Sequence, residues 1–328
     1  MRTIAIEEHY LADSFREAMQ EEAASKRGGA GLPAPLQAKL EDLDTTRLQD
    51  MDAGGIDLQV LSHTVTDIEA FSAEKDERLA REANDQVAAA IAAHPTRFAG
   101  FATLPLLNPH VAADELERAV RSLGLKGAMI NGTIKGRFLD DPSFLPIFEQ
   151  AVALNVPIYL HPGIPPAPVR ETYYSGLGPA VNFALSTGGW GWHSETGIHA
   201  LRLILAGIFD RFPGLQIIIG HMGEMIPFML ERVNNVFSPL TTQLQRSIPE
   251  YFAQNFYITT SGFFSSPPLL LAMQIMGTDR IMFSVDYPFS TNEQGRVFLE
   301  SVSLSPADKE KISHANAERL LQLSKAEH

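Results

Sequence analysis

Eight short apolar runs punctuate the chain, separated by longer amphipathic stretches. The runs are TIAI (3–6), LQVLS (58–62), FAGFATL (98–104), GAMIN (127–131), PIYLH (157–161), QIIIGH (216–221), FYITTS (256–261) and RIMFSVD (280–286). Several are continuous Ile, Val, Leu and Phe, the composition of parallel strands buried on both faces. Helical stretches are expected at 76–94, 111–123, 142–154, 195–212, 223–237 and 292–302. Such alternation over 328 residues predicts an α/β fold, a (β/α)8 TIM barrel. The rival is a doubly wound open sheet, but no G-x-G-x-x-G follows the first run. A last helix at 306–323 reads as a C-terminal helical cap. No repeat or low-complexity linker divides the chain, so a single domain is expected over 1–328.

Two connections exceed the length of ordinary turns. One follows strand one, at 11–44, and includes SKRGGAGLPAP; the other follows strand five, at 162–194, and is rich in Gly, Pro and aromatics. Both leave the C-terminal end of a strand, where barrel active sites are built, and read as lids or substrate walls.

The formal charge of −13 argues against an extended nucleic-acid footprint but leaves room for a small anion in a locally positive pocket. With no cysteine, disulfides, thiolate metal sites and a cysteine nucleophile are excluded. No apolar run reaches the ~18 residues of a membrane span, and the N-terminus lacks a basic start followed by an apolar core. The expectation is a cytoplasmic protein with a small-molecule partner, no nucleic acid and no membrane.

Polar residues cluster where the apolar runs end. Strand one runs into Glu7, Glu8 and His9, and strict alternation puts Glu7 and His9 on one face with Glu8 on the other. Strand five ends at His161, strand six at His221 and strand eight at Asp286. A lone histidine at such a place is more often structural, but four strands ending this way point to one site. Glu7, His9, His161 and Asp286 supply two imidazoles and two carboxylates, suited to a divalent ion such as Zn²⁺ or Mn²⁺. His221 stands three residues before Glu224, close enough for the carboxylate to orient the imidazole.

The motifs E-x-H after strand one, LHPG after strand five, GHMGE after strand six and SVDYPF after strand eight resemble those of the amidohydrolase superfamily. More narrowly they resemble its metal-dependent decarboxylases of hydroxybenzoates, the γ-resorcylate and 2,3-dihydroxybenzoate type, over nearly the whole chain. The resemblance implies one metal held by Glu7, His9, His161 and Asp286, with His221 and Glu224 in proton handling. It places Arg232 and Asn131 at the substrate; Phe289 is a candidate pocket wall, with Tyr173, Tyr174, Trp190 and Trp192. Many of the superfamily's hydrolases carry a carbamylated lysine after strand four that bridges two metals. This chain has Asn131 there, with Lys135 four residues on, so one metal is expected.

The expected reaction is loss of CO₂ from an ortho-hydroxy aromatic acid after protonation of its ring carbon, with Asp286 as donor and His221 as the alternative. A mononuclear hydrolase (a lactonase) or a hydratase is the competing expectation. The resemblance further implies a homodimer or homotetramer. Among the other histidines, His199 is expected to be structural, while His63 and His193 are candidates to reach the pocket.

Overall fold

The computed structural model describes residues 1–26, 32–64 and 71–323. Eight parallel strands follow one another in chain order: β1 (Ile4–Tyr10), β2 (Leu58–His63), β3 (Phe98–Gly100), β4 (Ala128–Asn131), β5 (Ile158–His161), β6 (Ile217–Ile219), β7 (Phe256–Thr259) and β8 (Ile281–Met282). β1 to β3 form one ladder and β4 to β8 another. Backbone bonds join the two between β3 and β4, where Ala102 N–H donates to the Gly127 carbonyl at 2.8 Å and Lys126 N–H to the Gly100 carbonyl at 2.9 Å. This is the predicted (β/α)8 barrel.

The seam between β8 and β1 is closed differently. Glu8 is fully buried, and its carboxylate accepts from Val285 N–H at 2.8 Å, Tyr287 N–H at 3.0 Å and Ser284 Oγ at 3.0 Å. This carboxylate joins β8 to β1 together with His9 N–H, which donates to the Tyr287 carbonyl at 2.6 Å, and Glu7 N–H, which donates to Ser284 Oγ at 2.7 Å. Burial raises the Glu8 carboxyl to about 8 despite these donors. Its role is structural, as its orientation away from Glu7 and His9 implied.

Strand residues alternate between two apolar layers. Ile4, Ile6, Leu58, Val60, Phe101, Tyr159, Ile218, Tyr257 and Met282 fill the barrel interior. Ala5, Leu61, Ile130, Leu160, Ile219 and Ile258 pack outward with helix residues such as Leu79, Leu116, Phe148, Leu203 and Phe252. The final helix, Asn316–Leu321, adds Ala317 and Leu321 to the inner layer and so caps the barrel, as expected. The predicted 306–323 helix is built of three pieces, Pro306–Glu310, a wider turn over Lys311–Ala315, and Asn316–Leu321.

Other expectations need correction. The connection 11–44 holds helices Asp13–Lys26 and Ala34–Glu41; of SKRGGAGLPAP, residues 27–31 lie outside the described set, as does His328. Short helices Ala167–Tyr173 and Pro179–Ser186 occupy much of 162–194. The predicted helix 195–212 begins earlier, at Gly191, and breaks after Leu205, where Gly207 takes φ +71° before Ile208–Arg211. No helix among the described residues is long and apolar enough to cross a membrane.

Candidate metal centre and active site

β1 carries a register shift between Ala5 and Glu8, where three steps on β1 match two on β2. Ile4 and Ile6 face the barrel interior and Ala5 faces outward. Strict alternation would send Glu7 and His9 out with Ala5. The extra residue reverses the parity, so Ile6 and Glu7 both point inward and His9 follows.

Glu7 is fully buried at the floor of this site. Its Oε2 accepts from the hydroxyls of Tyr159 and Ser261, and from Thr259 Oγ1 at 3.4 Å. Its Oε1 has no hydrogen-bond partner. Around that oxygen stand His161 Nε2 at 3.3 Å, His221 Nε2 at 3.7 Å and His9 Nε2 at 3.9 Å. Asp286 brings Oδ1 within 3.3 Å of His9 Nε2. Burial pushes the Glu7 carboxyl up, but His221, His161 and His9 outweigh it and hold it well below the ordinary carboxylate range.

The imidazoles are oriented from behind. His161 Nδ1–H donates to the Pro162 carbonyl at 2.8 Å, and His9 Nδ1 pairs with Ser62 Oγ at 3.3 Å. Each therefore turns Nε2 inward, the arrangement that prepares an imidazole for a metal. Gly220 lines the opposite wall. A Cβ there would lie 2.7 Å from Glu7 Oε2 and 3.2 Å from the Tyr159 hydroxyl, so only glycine leaves room for the carboxylate. An orphaned carboxylate oxygen, two Nε2 lone pairs and a second carboxylate form a donor set that fits one divalent ion. Glu7, His9 and His161 offer ligand atoms within 4.8 Å of one another.

A second cluster adjoins the first. His221 Nδ1–H donates to Glu224 Oε1 at 2.7 Å, and His193 Nδ1 bonds Glu224 Oε2 at 2.7 Å. His193 Nε2 meets the Gly188 carbonyl at 3.0 Å. Residues 221 to 225 all take positive φ, including the non-glycine His221 (+50°), Met222 (+57°), Glu224 (+52°) and Met225 (+64°). Such a left-handed run is costly for L-residues and occurs where a site requires it. It also corrects the expected helix start: Glu224 sits in this turn, and the helix is Ile226–Phe237. Burial lowers the His221 imidazole, but Glu224 and Glu7 outweigh that and raise it to about 10. Burial raises Glu224, and the two imidazoles more than reverse it.

The remaining candidates divide. Asn131 pairs in register with His161 and keeps its Oδ1 buried without a partner. Phe289 stands edge-on to His9 at 5.6 Å, and Trp192 to His161 at 6.4 Å. Tyr173 and Trp190 are exposed and Tyr174 is buried. Arg232 is exposed on helix Ile226–Phe237, and among the described residues no hydrogen bond or ion pair joins it to the cluster. His63 is packed against Phe15 and Tyr10. His199 accepts from Leu139 N–H at 2.8 Å and is structural.

Tyr159, Thr259 and Ser261 were not anticipated. The signal was their position: Tyr159 shares a face with His161, and Thr259 with Ser261.

The family described as Amidohydrolase matches residues 29–323. Over 328 aligned residues the chain is 39% identical to the decarboxylase orsB of Emericella nidulans, covering 98% of this chain and 97% of that one. It is 38% identical to the γ-resorcylate decarboxylase of a Rhizobium species, covering 98% and 99%. Among solved structures it superposes with TM-score 0.87 and 35% identity on a dihydroxybenzoic acid decarboxylase from a Polaromonas species, bound to manganese and the inhibitor 2-nitroresorcinol, covering 99% and 98%. The chain belongs to the amidohydrolase family.

Proposed function

We propose that this protein is a metal-dependent, non-oxidative decarboxylase of an ortho-hydroxy aromatic acid, built as one barrel domain. The observation that carries it is the Glu7 Oε1 atom: buried, without a partner, and ringed by imidazole Nε2 atoms beside Asp286. The full-length similarity to hydroxybenzoate decarboxylases supports the same reading.

Glu7, His9, His161 and Asp286 would hold one Zn²⁺ or Mn²⁺. Bound there, the ion supplies a Lewis acid for the substrate's carboxylate and ortho hydroxyl. The protein's own groups do the rest. Phe289 and Trp192 flank His9 and His161 with flat apolar surface for an aromatic ring, and Asn131 Oδ1 offers an acceptor to a ring hydroxyl. A proton passes to the ring carbon that bears the carboxylate. The C–C bond electrons then restore aromaticity as CO₂ leaves, so ArCOO⁻ and H⁺ become ArH and CO₂. Asp286 is the proposed donor and His221, kept charged by Glu224, the second candidate.

Phe228 and Val236 are 77% and 41% exposed and lie four residues either side of Arg232, so the three share one helix face. A homodimer or homotetramer would cover this face.

The test is CO₂ release by metal-loaded protein from 2,6- and 2,3-dihydroxybenzoate, salicylate and 5-carboxyvanillate, with 4-hydroxybenzoate as the control lacking an ortho hydroxyl. Chelator-sensitive turnover confined to the ortho-hydroxy acids is expected. No turnover with the metal fully bound sinks the decarboxylase reading and moves the question to lactones.

A further inference from the structure

Glu224 is fully buried, and each of its oxygens is taken by a different imidazole, His221 on Oε1 and His193 on Oε2. Removing His193 would leave Oε2 buried without a partner and free the carboxylate to turn. His193 is itself gripped at the far side, through Nε2 and the Gly188 carbonyl. Its ring packs against His221 at 4.8 Å and Phe263 at 5.3 Å.

The segment that holds Gly188 is tightly wound. The Thr187 carbonyl accepts from Trp190 N–H at 3.1 Å and Trp192 N–H at 3.2 Å. A Cβ at Gly191 would lie 2.3 Å from the Ser186 carbonyl oxygen, so this turn has no slack. Gly188 lies beside the Trp192 ring, which faces His161 and keeps its buried indole Nε1 without a partner. One unbroken path therefore runs from the pocket wall at Trp192, through Gly188, His193 and Glu224, to His221.

We propose that His193 is a positioning residue that locks the orientation of the His221 imidazole to the placement of segment 187–192 over the substrate. Glu224 is held from both sides only when Gly188 is in place, so the wall and the His221 pair move as one unit. His193 touches neither the substrate nor the metal ligands in this role.

The chain's only tryptophans are Trp190 and Trp192, so tryptophan fluorescence, excited at the red edge where its seven tyrosines do not absorb, reports this segment alone. Acrylamide quenching of the manganese-loaded enzyme is measured for the wild type, Glu224→Gln, His193→Ala and the double variant, as a mutant cycle. With His193 present, Glu224→Gln raises the quenching constant by about half or more; with His193→Ala it changes nothing further. His193→Ala lowers kcat about tenfold or more while KM moves less than about threefold. His193→Asn, whose amide reaches Glu224 but not the Gly188 carbonyl, returns only part of that kcat and keeps the raised quenching of His193→Ala. The kinetic arm rests on the decarboxylase reading; the fluorescence arm does not. Equal quenching shifts with and without His193, or no shift from Glu224→Gln, would overturn the link. An unchanged kcat in His193→Ala would overturn the positioning role. If the wild type turns over no aryl acid, the decarboxylase reading fails while the quenching cycle still decides the link.

Discussion

Tyr159 and Glu7 face each other across the barrel interior, and the tyrosine hydroxyl donates to the carboxylate oxygen that points away from the imidazoles. With Ser261 and Thr259 it fixes one oxygen so that the other is presented to His161 and His9. Tyr159→Phe keeps the packing and removes one donor. Outer contacts of this kind are worth about 10- to 100-fold in metal affinity. Competition of the variant for Mn²⁺ against a chromogenic chelator is expected to show a loss in that range, with the fold unchanged by circular dichroism. Wild-type affinity would show that Glu7 needs no such anchor.

Gly220 gives a second handle on the same carboxylate. Its φ of −76° suits any residue, so a substitution there carries no backbone penalty of its own. The added Cβ would press on Glu7 Oε2 and the Tyr159 hydroxyl. Gly220→Ala is expected to lose metal affinity at least as severely as Tyr159→Phe, with destabilisation of about 1–3 kcal/mol from overpacking. Isothermal titration with Mn²⁺ and urea unfolding read the two effects separately.

Asp286 is proposed both as a metal ligand and as the proton donor, and Asp286→Asn separates the two roles. Asp286→Asn keeps an oxygen toward His9 but removes the acid. Proton transfer by a positioned group contributes about 10²- to 10⁴-fold, so kcat is expected to fall within that range or below it. Metal content by atomic absorption tells loss of the donor from loss of the ion. A full metal complement with wild-type kcat would assign the proton to His221.

The eight strands and the strand-end cluster were legible because buried parallel strands have a composition of their own and their polar last residues stand out against it. Glu7 and His9 were placed on a common face correctly, but by an incomplete argument. The bulge that turns them inward has no glycine or proline to mark it in IAIEEHY, and only the pairing with β2 reveals it. The three hydroxyls on Glu7 looked like ordinary strand filling, since nothing along the chain says which oxygen of which carboxylate they meet. His193 was a candidate for the pocket, yet its role depends on a left-handed turn at 221–225 that no local pattern announces. Arg232 shows the opposite limit: its exposed helix face is uninformative within one chain.

His199 ties the helix that carries His193 to the loop after β4, and it does so as a neutral acceptor of Leu139 N–H. Burial lowers its imidazole to about 3, against an ordinary value of 6.5. Between those values the unfolded chain binds a proton that the folded chain refuses, so stability rises with pH there and is lost on acidification. The contribution is whole above pH ~6.5 and has fallen by about 2 kcal/mol at pH ~5. His199→Gln is expected to be less stable than wild type at pH ~7.5, and to lose less on moving to pH ~5. Urea midpoints at the two pH values, with identical slopes, measure this. Parallel losses in both proteins would show that His199 does not titrate in that window.

Arg47 is a fully buried cation, and among the described residues no ion pair joins it to a carboxylate. Its guanidinium donates to the carbonyls of His9 at 2.5 Å, Asp42 at 2.9 Å and Lys39 at 3.2 Å, and to Gln59 Oε1 at 3.1 Å. It also lies 4.7 Å from the Tyr287 ring. Burial lowers it to about 10, while Tyr287, Glu8, Asp42 and Asp50 pull it back up. The cation therefore braces the β8–β1 seam from outside, holding the residue that bears one proposed ligand, His9, and the neighbour of another, Asp286. Arg47→Lys keeps the charge but not the fork of donors, leaving carbonyls buried and unmet at about 1–3 kcal/mol each. The expected result is about 3 kcal/mol or more of lost stability by urea unfolding, together with weaker Mn²⁺ binding. Lost stability with unchanged metal affinity would confine Arg47 to the fold and leave the ligands positioned by Ser62 and Pro162 alone.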